Sequence, residues 1–283
     1  MNTNRRKFFK KSGLSLTALA ASPYLLPSKM THLSYNSIGK DMSYDLGMAG
    51  YTFVKFPLDD ALNMTERVGI HYLCIKDFHL PMDSTDQEIA DFHKKAKAHG
   101  IEGYGVGPIY MKTEEAVNQA FDYAKRVGVN LIVGIPPYEL LPLVDQKVKE
   151  YDFHYAIHNH GPGDDLYPTP EAVYDKVKDF DERIGLCHDI GHTKRYGQDP
   201  VAMIKKYGHR TYDMHIKDVT EPTAKGSSCE MGRGVINLPA VFEAIRKTGY
   251  SGKCSIEFEK DNTDPLAGIA ESVGYYHAVQ DMM

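Results

Sequence analysis

The chain has 283 residues, with 33 Lys and Arg against 38 Asp and Glu and a formal net charge of -5 at pH 7. A mildly acidic chain offers no electrostatic basis for binding nucleic acid or an anionic membrane surface, so we expect neither as a partner. The length is ample for one large hydrophobic core.

The N-terminus is predicted to be an export signal rather than part of the fold. The segment Asn4-Arg5-Arg6-Lys7-Phe8-Phe9-Lys10 resembles a twin-arginine motif, and a mainly apolar run with a small-residue exit follows at 13–22. That run is shorter than the ~20 apolar residues that span a bilayer, so we expect no stable membrane insertion. We interpret 1–30 as a signal segment, 31–43 as a lead-in and 44–283 as the folded domain of an exported, periplasmic protein. The alternative for this segment is a basic disordered tail.

Short apolar strands then alternate with amphipathic helices to the C-terminus. The predicted strands are 46–53, 72–78, 101–109, 130–135, 153–160, 184–189, 212–219 and 253–258. The predicted helices are 58–68, 84–100, 113–127, 140–151, 169–180, 200–207, 238–247 and 265–280. Eight strand-helix units in one series predict a single-domain (β/α)8 TIM barrel. The alternative, an open doubly wound sheet, lacks a glycine-rich nucleotide fingerprint after the first strand.

The four cysteines show no metal-type spacing, and three of them fall in predicted strands. Export alone does not make them disulfides, and we expect buried free thiols in the strands. The residues are Cys74, Cys187, Cys229 and Cys254.

Polar side chains mark the carboxyl ends of the last four predicted strands. These ends read His158-Asn159-His160, Asp189-Ile190-Gly191-His192, His215-Ile216-Lys217-Asp218 and Glu257-Phe258-Glu259. The carboxyl ends of barrel strands meet at one face, and such a cluster is costly to bury without a cation inside it. We predict one divalent ion bound by four ligands, His158, Asp189, His215 and Glu257. Two imidazoles favour manganese, cobalt, zinc, nickel or iron over magnesium.

These motifs resemble the xylose isomerase-like TIM barrels, the broad family of sugar phosphate isomerases and epimerases. The resemblance rests on 189–192, on 215–218 and on the stretch from Gly232-Arg233-Gly234 through Tyr250-Ser251-Gly252 to Glu257, and it covers the chain after residue 43. It implies a metal bound by Glu, Asp, His and Glu on strands five to eight. This chain has His158 where those relatives have the first Glu. In the epimerases the two glutamates pass a proton across the substrate carbon, so His158 argues against a symmetric exchange.

Proton abstraction beside a carbonyl is the chemistry that such a site supports. His160 and Lys217 are the candidate bases, because each lies two residues from a ligand on the same strand face. The alternative for Lys217 is an ion pair in the barrel mouth. The family resemblance makes His192 a substrate contact or an acid.

Residues at other strand ends are candidates for binding a sugar. Lys76 and His79 follow the second predicted strand and are suited to hydroxyl groups, the alternative being ordinary loop polarity. Arg233, between two glycines, is suited to a phosphate, although export favours an unphosphorylated sugar. Because the chain has no Trp, ring stacking falls to tyrosines, with candidates Tyr51, Tyr104, Tyr110 and Tyr138.

The leading interpretation is a metal-dependent isomerase or epimerase of an unphosphorylated sugar or keto-sugar. The first alternative is a lyase or hydratase that acts by β-elimination, for example on a 3-keto-glycoside, since elimination needs no mirror pair of bases. A metal-dependent endonuclease fits the acidic chain poorly. A non-catalytic sugar-binding protein is the alternative outside enzymes. A homo-oligomer is compatible with the sequence.

Overall fold

A computed structural model describes residues 44–283, and the predicted signal segment 1–30 and lead-in 31–43 lie outside the described residues. The strands are β1 Asp45–Ala49, β2 Tyr72–Ile75, β3 Glu102–Tyr110, β4 Leu131–Ile135, β5 His154–His158, β6 Ile184–Asp189, β7 Thr211–Ile216, β8 Asp218–Val219, β9 Ser228–Cys229 and β10 Lys253–Ile256. The α-helices are α1 Leu58–Arg67, α2 Asp86–Ala98, α3 Glu114–Val127, α4 Leu141–Tyr151, α5 Pro170–Val177, α6 Ile190–Arg195, α7 Pro200–Tyr207, α8 Leu238–Thr248 and α9 Leu266–Met282.

Eight of the strands form a closed barrel in the order β1-β10-β7-β6-β5-β4-β3-β2, and every neighbouring pair is parallel. The predicted (β/α)8 barrel is confirmed. Local sequence signals set several helix ends. Thr85 and Glu88 form a reciprocal capping box at the start of α2, and Gly128 ends α3 with a φ of 80° that an L-residue rarely adopts.

The core has two parts, because side chains alternate between the two faces of each strand. The large cluster fills the space between strands and helices and includes Ile132, Ile157 and Leu186. A smaller cluster comes from the residues that alternate with these, namely Cys74, Leu131, Val133, Ala156 and Cys187. All four cysteines are free and buried, as predicted for those in strands. Within residues 44–283 no helix is both long and apolar enough to span a membrane.

Five predicted strands end earlier in the structure, two of them being the second, which ends at Ile75, and the eighth, which ends at Ile256. The first ends at Ala49, and Gly50–Phe53 is a 3-10 turn. The fifth ends at His158, which leaves Asn159 and His160 in the following loop. The seventh ends at Ile216, and the remaining β8 turns away to pair antiparallel with β9.

The carboxylate of Asp218 explains why the chain leaves the barrel there. It accepts four backbone N–H groups, from Val219 at 2.9 Å, Gly232 at 3.1 Å, Gly234 at 2.9 Å and Ile236 at 3.1 Å. The bonds to Val219 and Ile236 are buried and the two glycine bonds are partly buried, so at least two N–H groups would otherwise be buried donors without acceptors. Asp218 therefore organises the loop that follows the seventh barrel strand.

Replacement of Asp218 by Ala is expected to lower the free energy of unfolding by about 2–4 kcal/mol, because several buried N–H groups lose a charged acceptor. Chemical denaturation measures this loss. The matched control is Asp179→Ala at an exposed position, which should change stability by less than about 0.5 kcal/mol. Equal stability of the two variants would contradict the role given to Asp218.

Candidate metal centre

Four side chains converge at the carboxyl end of the barrel because consecutive strands deliver them to the same level. His158 and Asp189 are the last residues of β5 and β6, and Asp189 is in register with His215 on β7. Glu257 follows β10 directly and donates its backbone N–H to the carbonyl of Ile216. All four side chains are buried.

The distances between these side chains suit the ligands of a single ion. His158 Nε2 lies 3.0 Å from His215 Nδ1, 3.5 Å from Asp189 Oδ2 and 3.9 Å from Glu257 Oε2. His215 Nδ1 lies 3.2 Å from Glu257 Oε1, and one ligand atom of each residue falls within 4.8 Å of all the others. Ligands held at about 2.0–2.2 Å from a common ion are separated by distances of this order.

The buried carboxylate of Asp189 supports the fit to a cation. Its Oδ2 is fully buried and lies 3.0 Å from Lys217 Nζ, but no hydrogen bond of adequate geometry reaches it in the described part of the chain. A buried carboxylate oxygen is costly unless it is paired, and a bound cation would add to the pairing that Lys217 provides. The two nitrogen and two oxygen ligands suit a divalent transition metal.

The charges in the cluster keep both carboxylates ionised. Burial raises the pKa of Glu257, but Lys217 and His215 outweigh it and hold this pKa well below its usual value. Burial raises the pKa of Asp189 too, and His192 and Lys217 bring it well below its usual value. Burial lowers the pKa of His215, yet Glu257 and the nearby aspartates raise it to about 9. Binding of a metal ion by His215 would therefore release a proton from this ring.

Asn159 fixes the fifth and sixth strands relative to each other. Its Oδ1 accepts from the backbone N of Asp189 at 2.9 Å, and its Nδ2 donates to the carbonyl of Asp189 at 3.2 Å. Thr193 donates to the same carbonyl at 2.7 Å. Asn159, which follows His158, thus holds the main chain of Asp189, and this preorganises the site.

His160 and His192 flank His158 and are the more exposed imidazoles of the group. The ring centroids lie 4.6 Å (His158–His160), 5.8 Å (His158–His192) and 6.0 Å (His160–His192) apart. Burial, followed by the effect of His158, lowers the pKa of His160 to about 4. Burial lowers the pKa of His192 to about 3, against the opposing effect of Asp189. Both imidazoles are therefore neutral.

The neighbours of each ring indicate its tautomer. His160 Nδ1 lies 3.0 Å from Asp164 Oδ2, a distance that favours the proton on Nδ1 although the two atoms are not aligned for a hydrogen bond, and Nε2 then accepts from the Tyr110 hydroxyl at 3.3 Å. In His192 the proton lies on the other ring nitrogen. Arg195 donates to Nδ1 at 3.4 Å, so the proton lies on Nε2, 4.0 Å from Asp189 Oδ2. One ring presents an acceptor nitrogen and the other a donor.

Lys217, the remaining predicted catalytic residue, lies inside the cluster. Its Nζ is 3.0 Å from Asp189 Oδ2 and 2.5 Å from Glu257 Oε2, and it also contacts Glu259. Burial lowers the pKa of Lys217, but these three carboxylates raise it well above its usual value. The ion pair that the sequence left as an alternative is present, and a role for Lys217 in proton transfer stays a prediction.

The predicted substrate-binding residues form their hydrogen bonds and ion pairs with residues outside this cluster. Lys76 pairs with Asp77, and His79 Nε2 lies 3.0 Å from the carbonyl oxygen of Phe56, in a cavity beside α2. Arg233 is exposed and pairs with Glu271 on α9. No hydrogen bond or ion pair described among residues 44–283 joins any of the three to the four candidate ligands, so their substrate roles stay predictions.

The tyrosines expected to stack on a sugar differ in position. Tyr110 is stacked on His160 with ring centroids 5.9 Å apart and planes inclined by 9°. Burial raises the pKa of Tyr110, and Asp164 and Tyr51 raise it further. Tyr51 is exposed in the 3-10 turn that follows β1. Tyr138 donates to the carbonyl of Leu166. Tyr104 donates to Asp213 at 3.0 Å inside the barrel, near the start of β3, so stacking at the mouth was a wrong expectation for it.

Sequence reasoning missed Asp164, Glu259, Asn159 and Asp213 as members of this site. Asp164 lies in a glycine-containing loop after β5, where no periodic pattern gives its direction. Glu259 and Asn159 stand beside predicted site residues, and this adjacency was the available signal. Asp213 Oδ2 lies 3.9 Å behind His215 Nε2 and was hidden within an apolar strand.

Chelation of the bound metal is expected to lower the melting temperature by about 5–10 °C relative to protein with free metal about 100-fold above its Kd. Binding at that excess contributes about 2.7 kcal/mol, and each kcal/mol shifts the Tm of a domain of this size by about 2–4 °C. Thermal unfolding with and without chelator measures the shift. An Asp189→Asn variant should show no metal-dependent shift. A wild-type Tm that is indifferent to metal would contradict the site.

The fold and site together define a class of protein: a (β/α)8 barrel with a buried His, Asp and Glu cluster at the carboxyl ends of its strands. The family model for the xylose isomerase-like TIM barrel matches residues 49–278, so the chain belongs to this family.

Named relatives include a rhizopine catabolism protein MocC of Rhizobium meliloti. The alignment has a length of 131 residues with 28% identity, and it covers 41% of this chain and 40% of the relative. An inosose dehydratase of Clostridium tetani is 25% identical over 235 residues, covering 77% of this chain and 70% of the relative. For MocC and the inosose dehydratases of Lacticaseibacillus casei the match spans less than half of the relative's length.

Solved structures show the same barrel. A protein from Parabacteroides distasonis without an assigned function superposes with a TM-score of 0.67 at 25% identity, covering 83% of this chain and 99% of that one. The IOLI protein with a bound zinc atom has a TM-score of 0.66 at 19% identity, with coverage of 84% and 97%. An L-ribulose 3-epimerase has a TM-score of 0.68 at 15% identity, with coverage of 84% and 95%.

Proposed function

We propose that this protein is a metal-dependent enzyme that removes a proton from the carbon next to a carbonyl in an unphosphorylated keto-sugar or related cyclic polyol. The observation that carries the proposal is the convergence of His158, Asp189, His215 and Glu257 beside two neutral imidazoles of opposite tautomer. A divalent ion held by the four ligands would polarise a substrate carbonyl and stabilise negative charge on its oxygen.

The two imidazoles supply a base and a hydrogen-bond donor. His160 Nε2 is the acceptor nitrogen, and Asp164 stabilises the charged form of the ring once a proton arrives. His192 Nε2 is the donor nitrogen and is suited to donating a hydrogen bond to a departing or developing oxygen. Lys217, the other base that the sequence predicts, is surrounded by carboxylates, and its role is taken up in the next subsection.

We favour β-elimination as the outcome of proton removal. The α-carbon loses its proton to His160, the electron pair forms a C=C bond to the β-carbon, and the β C–O bond breaks. The departing oxygen accepts a hydrogen bond from His192 Nε2 and takes up the proton that His160 received, which returns His160 to its neutral form as the substrate loses water or an alcohol. One base and one hydrogen-bond donor suffice for this sequence, which suits a site with His158 in place of a second glutamate. The inosose dehydratases among the relatives support the same choice.

An isomerase or epimerase is the second candidate, and it was the leading interpretation of the sequence. Its support is the pair of imidazoles 6.0 Å apart, since His160 and His192 could exchange a proton across one carbon in place of two glutamates. The barrel shared with an L-ribulose 3-epimerase is compatible with this outcome.

The charge around the cluster supports an unphosphorylated substrate. Asp164, Asp189, Glu257 and Glu259 lie at or beside it, and the contacts of Lys217 are with three of these carboxylates. Arg233, the cation expected to face a phosphate, is paired with Glu271 instead. A dianionic phosphate would meet net negative charge here.

Exposed apolar side chains support a substrate with a second ring. Among the described residues, six large hydrophobic side chains are exposed; four of them lie in connections that follow barrel strands, and Tyr110 is the last residue of β3. These five are Tyr51, Phe78, Tyr110, Tyr196 and Val235. Strand-to-helix connections form the catalytic face of such barrels, so these side chains can pack on an aglycone or second sugar. A 3-keto-glycoside meets this description.

The deciding experiment is incubation of metal-loaded protein with keto-sugars, inososes and 3-keto-glycosides in D2O, followed by NMR. Elimination predicts loss of the α-proton together with release of water or aglycone and a new vinylic signal. Deuterium uptake with a rearranged sugar and no release would identify the isomerase. Substrate binding without exchange or turnover would identify a sugar-binding protein and refute catalysis. His158→Gln protein is the control for metal-independent exchange.

A further inference from the structure

Three carboxylates enclose the ammonium group of Lys217. Its Nζ lies 3.0 Å from Asp189 Oδ2 and 2.5 Å from Glu257 Oε2, and Glu259 Oε2 makes the third contact. The lysine side chain is only 3% exposed, so the charge is held inside the site rather than in solvent. The ammonium therefore occupies a point that a cation with oxygen ligands would occupy.

Two of these carboxylates belong to a second set of metal-competent residues. His192, Glu257 and Glu259 each offer a ligand atom, and these atoms lie within 4.8 Å of one another. Glu257 is shared between the two sets. Its Oε1 lies 3.2 Å from His215 Nδ1, and its Oε2 lies 2.5 Å from Lys217 Nζ and 3.9 Å from His158 Nε2. A carboxylate whose two oxygens both face cation-binding groups can bridge the ions of a two-metal site.

The charges of the surrounding carboxylates explain why a lysine, Lys217, occupies this position. Asp189, Glu257 and Glu259 carry three negative charges, which a divalent ion and one ammonium neutralise together. A second divalent ion added to this set would leave a buried excess of positive charge, which is costly.

We propose that Lys217 is a built-in monovalent cation that takes the place of a second divalent ion and keeps the metal centre mononuclear. Removal of its charge would open a second metal site formed by His192, Glu257 and Glu259. This inference rests on the proposed binding of a metal by His158, Asp189, His215 and Glu257.

The test is the number of Mn²⁺ ions bound per chain, measured by titration and elemental analysis, with EPR to detect coupling between adjacent ions. Wild type should bind one uncoupled ion, and Lys217→Met should bind two coupled ions. Lys217→Arg, which keeps the charge, should bind one. Lys217→Met combined with Glu259→Gln should return to one, because the second site loses a ligand. Lys76→Met is the matched control, because it removes a lysine that follows a different barrel strand. This variant should bind one ion.

Each outcome separates this proposal from the others. Two ions in wild type, or one ion in Lys217→Met with its first site filled, would overturn the inference. One ion together with a turnover loss of about 10²–10⁴-fold in Lys217→Met would identify Lys217 as the base that the sequence predicts. No ion in wild type would refute the proposed metal centre itself. Circular dichroism verifies the fold, and Lys217→Gln replaces the Met variant if that protein does not fold.

Discussion

Replacement of His158 by Gln is expected to remove most of the bound metal and to lower turnover by at least about 10³-fold. His158 Nε2 is the nitrogen closest to His215 and lies within 4 Å of both carboxylates of the centre, so its loss opens the ligand set on one side. A bound ion contributes several kcal/mol of transition-state stabilisation, and each 1.36 kcal/mol corresponds to a factor of ten in rate.

The measurement is metal content beside turnover in the same preparation. His154→Gln is the matched control, since His154 begins the same strand and packs on Tyr212 at the other end of the barrel. It should keep both metal and rate. His158→Glu should keep the metal, because it restores a carboxylate where relatives have one. If His158→Gln keeps full metal and loses only turnover, His158 is a base and not a ligand.

Replacement of His160 by Gln is expected to leave the metal in place and to cut the chemical step by about 10²–10⁴-fold, the usual loss for a missing acid or base. His160 contacts Asp164 and Tyr110, and none of its described hydrogen bonds or ion pairs involves the four ligands. Metal binding should therefore not depend on it. A rate loss without metal loss separates this residue from His158.

Two milder variants test how much each neighbour of His160 contributes to kcat. Asp164→Asn keeps the size of the side chain but removes the charge that stabilises the charged form of the imidazole, and should lower kcat more than it raises KM. Tyr110→Phe removes only the hydroxyl contact to Nε2 and should have the smaller effect on kcat. An unchanged rate of α-proton exchange in His160→Gln would assign the base to another residue.

The barrel could be predicted from the sequence because its signals are local. Alternating apolar runs, the Thr85–Glu88 capping box and the Gly128 stop each depend on neighbours within a few residues. The end of strand six was also readable, and the polar motif of strand seven allowed His215 to be placed at the level of Asp189 without knowledge of the register that pairs them.

The remainder depended on contacts between distant segments. The break after Ile216 is fixed by Asp218, whose hydrogen-bond donors extend to Ile236. The directions of His79 and Arg233 are set by Phe56 and Glu271, which no local pattern reveals. The six-residue α6 is too short to show a helical period, and its cap is Asp189, a residue that the sequence already assigned to the metal.

The free cysteines have a consequence for how this protein must be made. Cys74, Cys187 and Cys254 belong to three separate strands, and burial raises the pKa of each thiol well above its usual value. The thiolate is the form that reacts with oxidants, so the closed barrel protects all three. An unfolded chain has no such protection, and a disulfide formed at that stage would tie together strands in a pairing that the native structure does not contain. Oxidation of these three cysteines is therefore a hazard of biosynthesis and refolding rather than of the folded protein. Reducing conditions matter for them between synthesis and closure of the barrel.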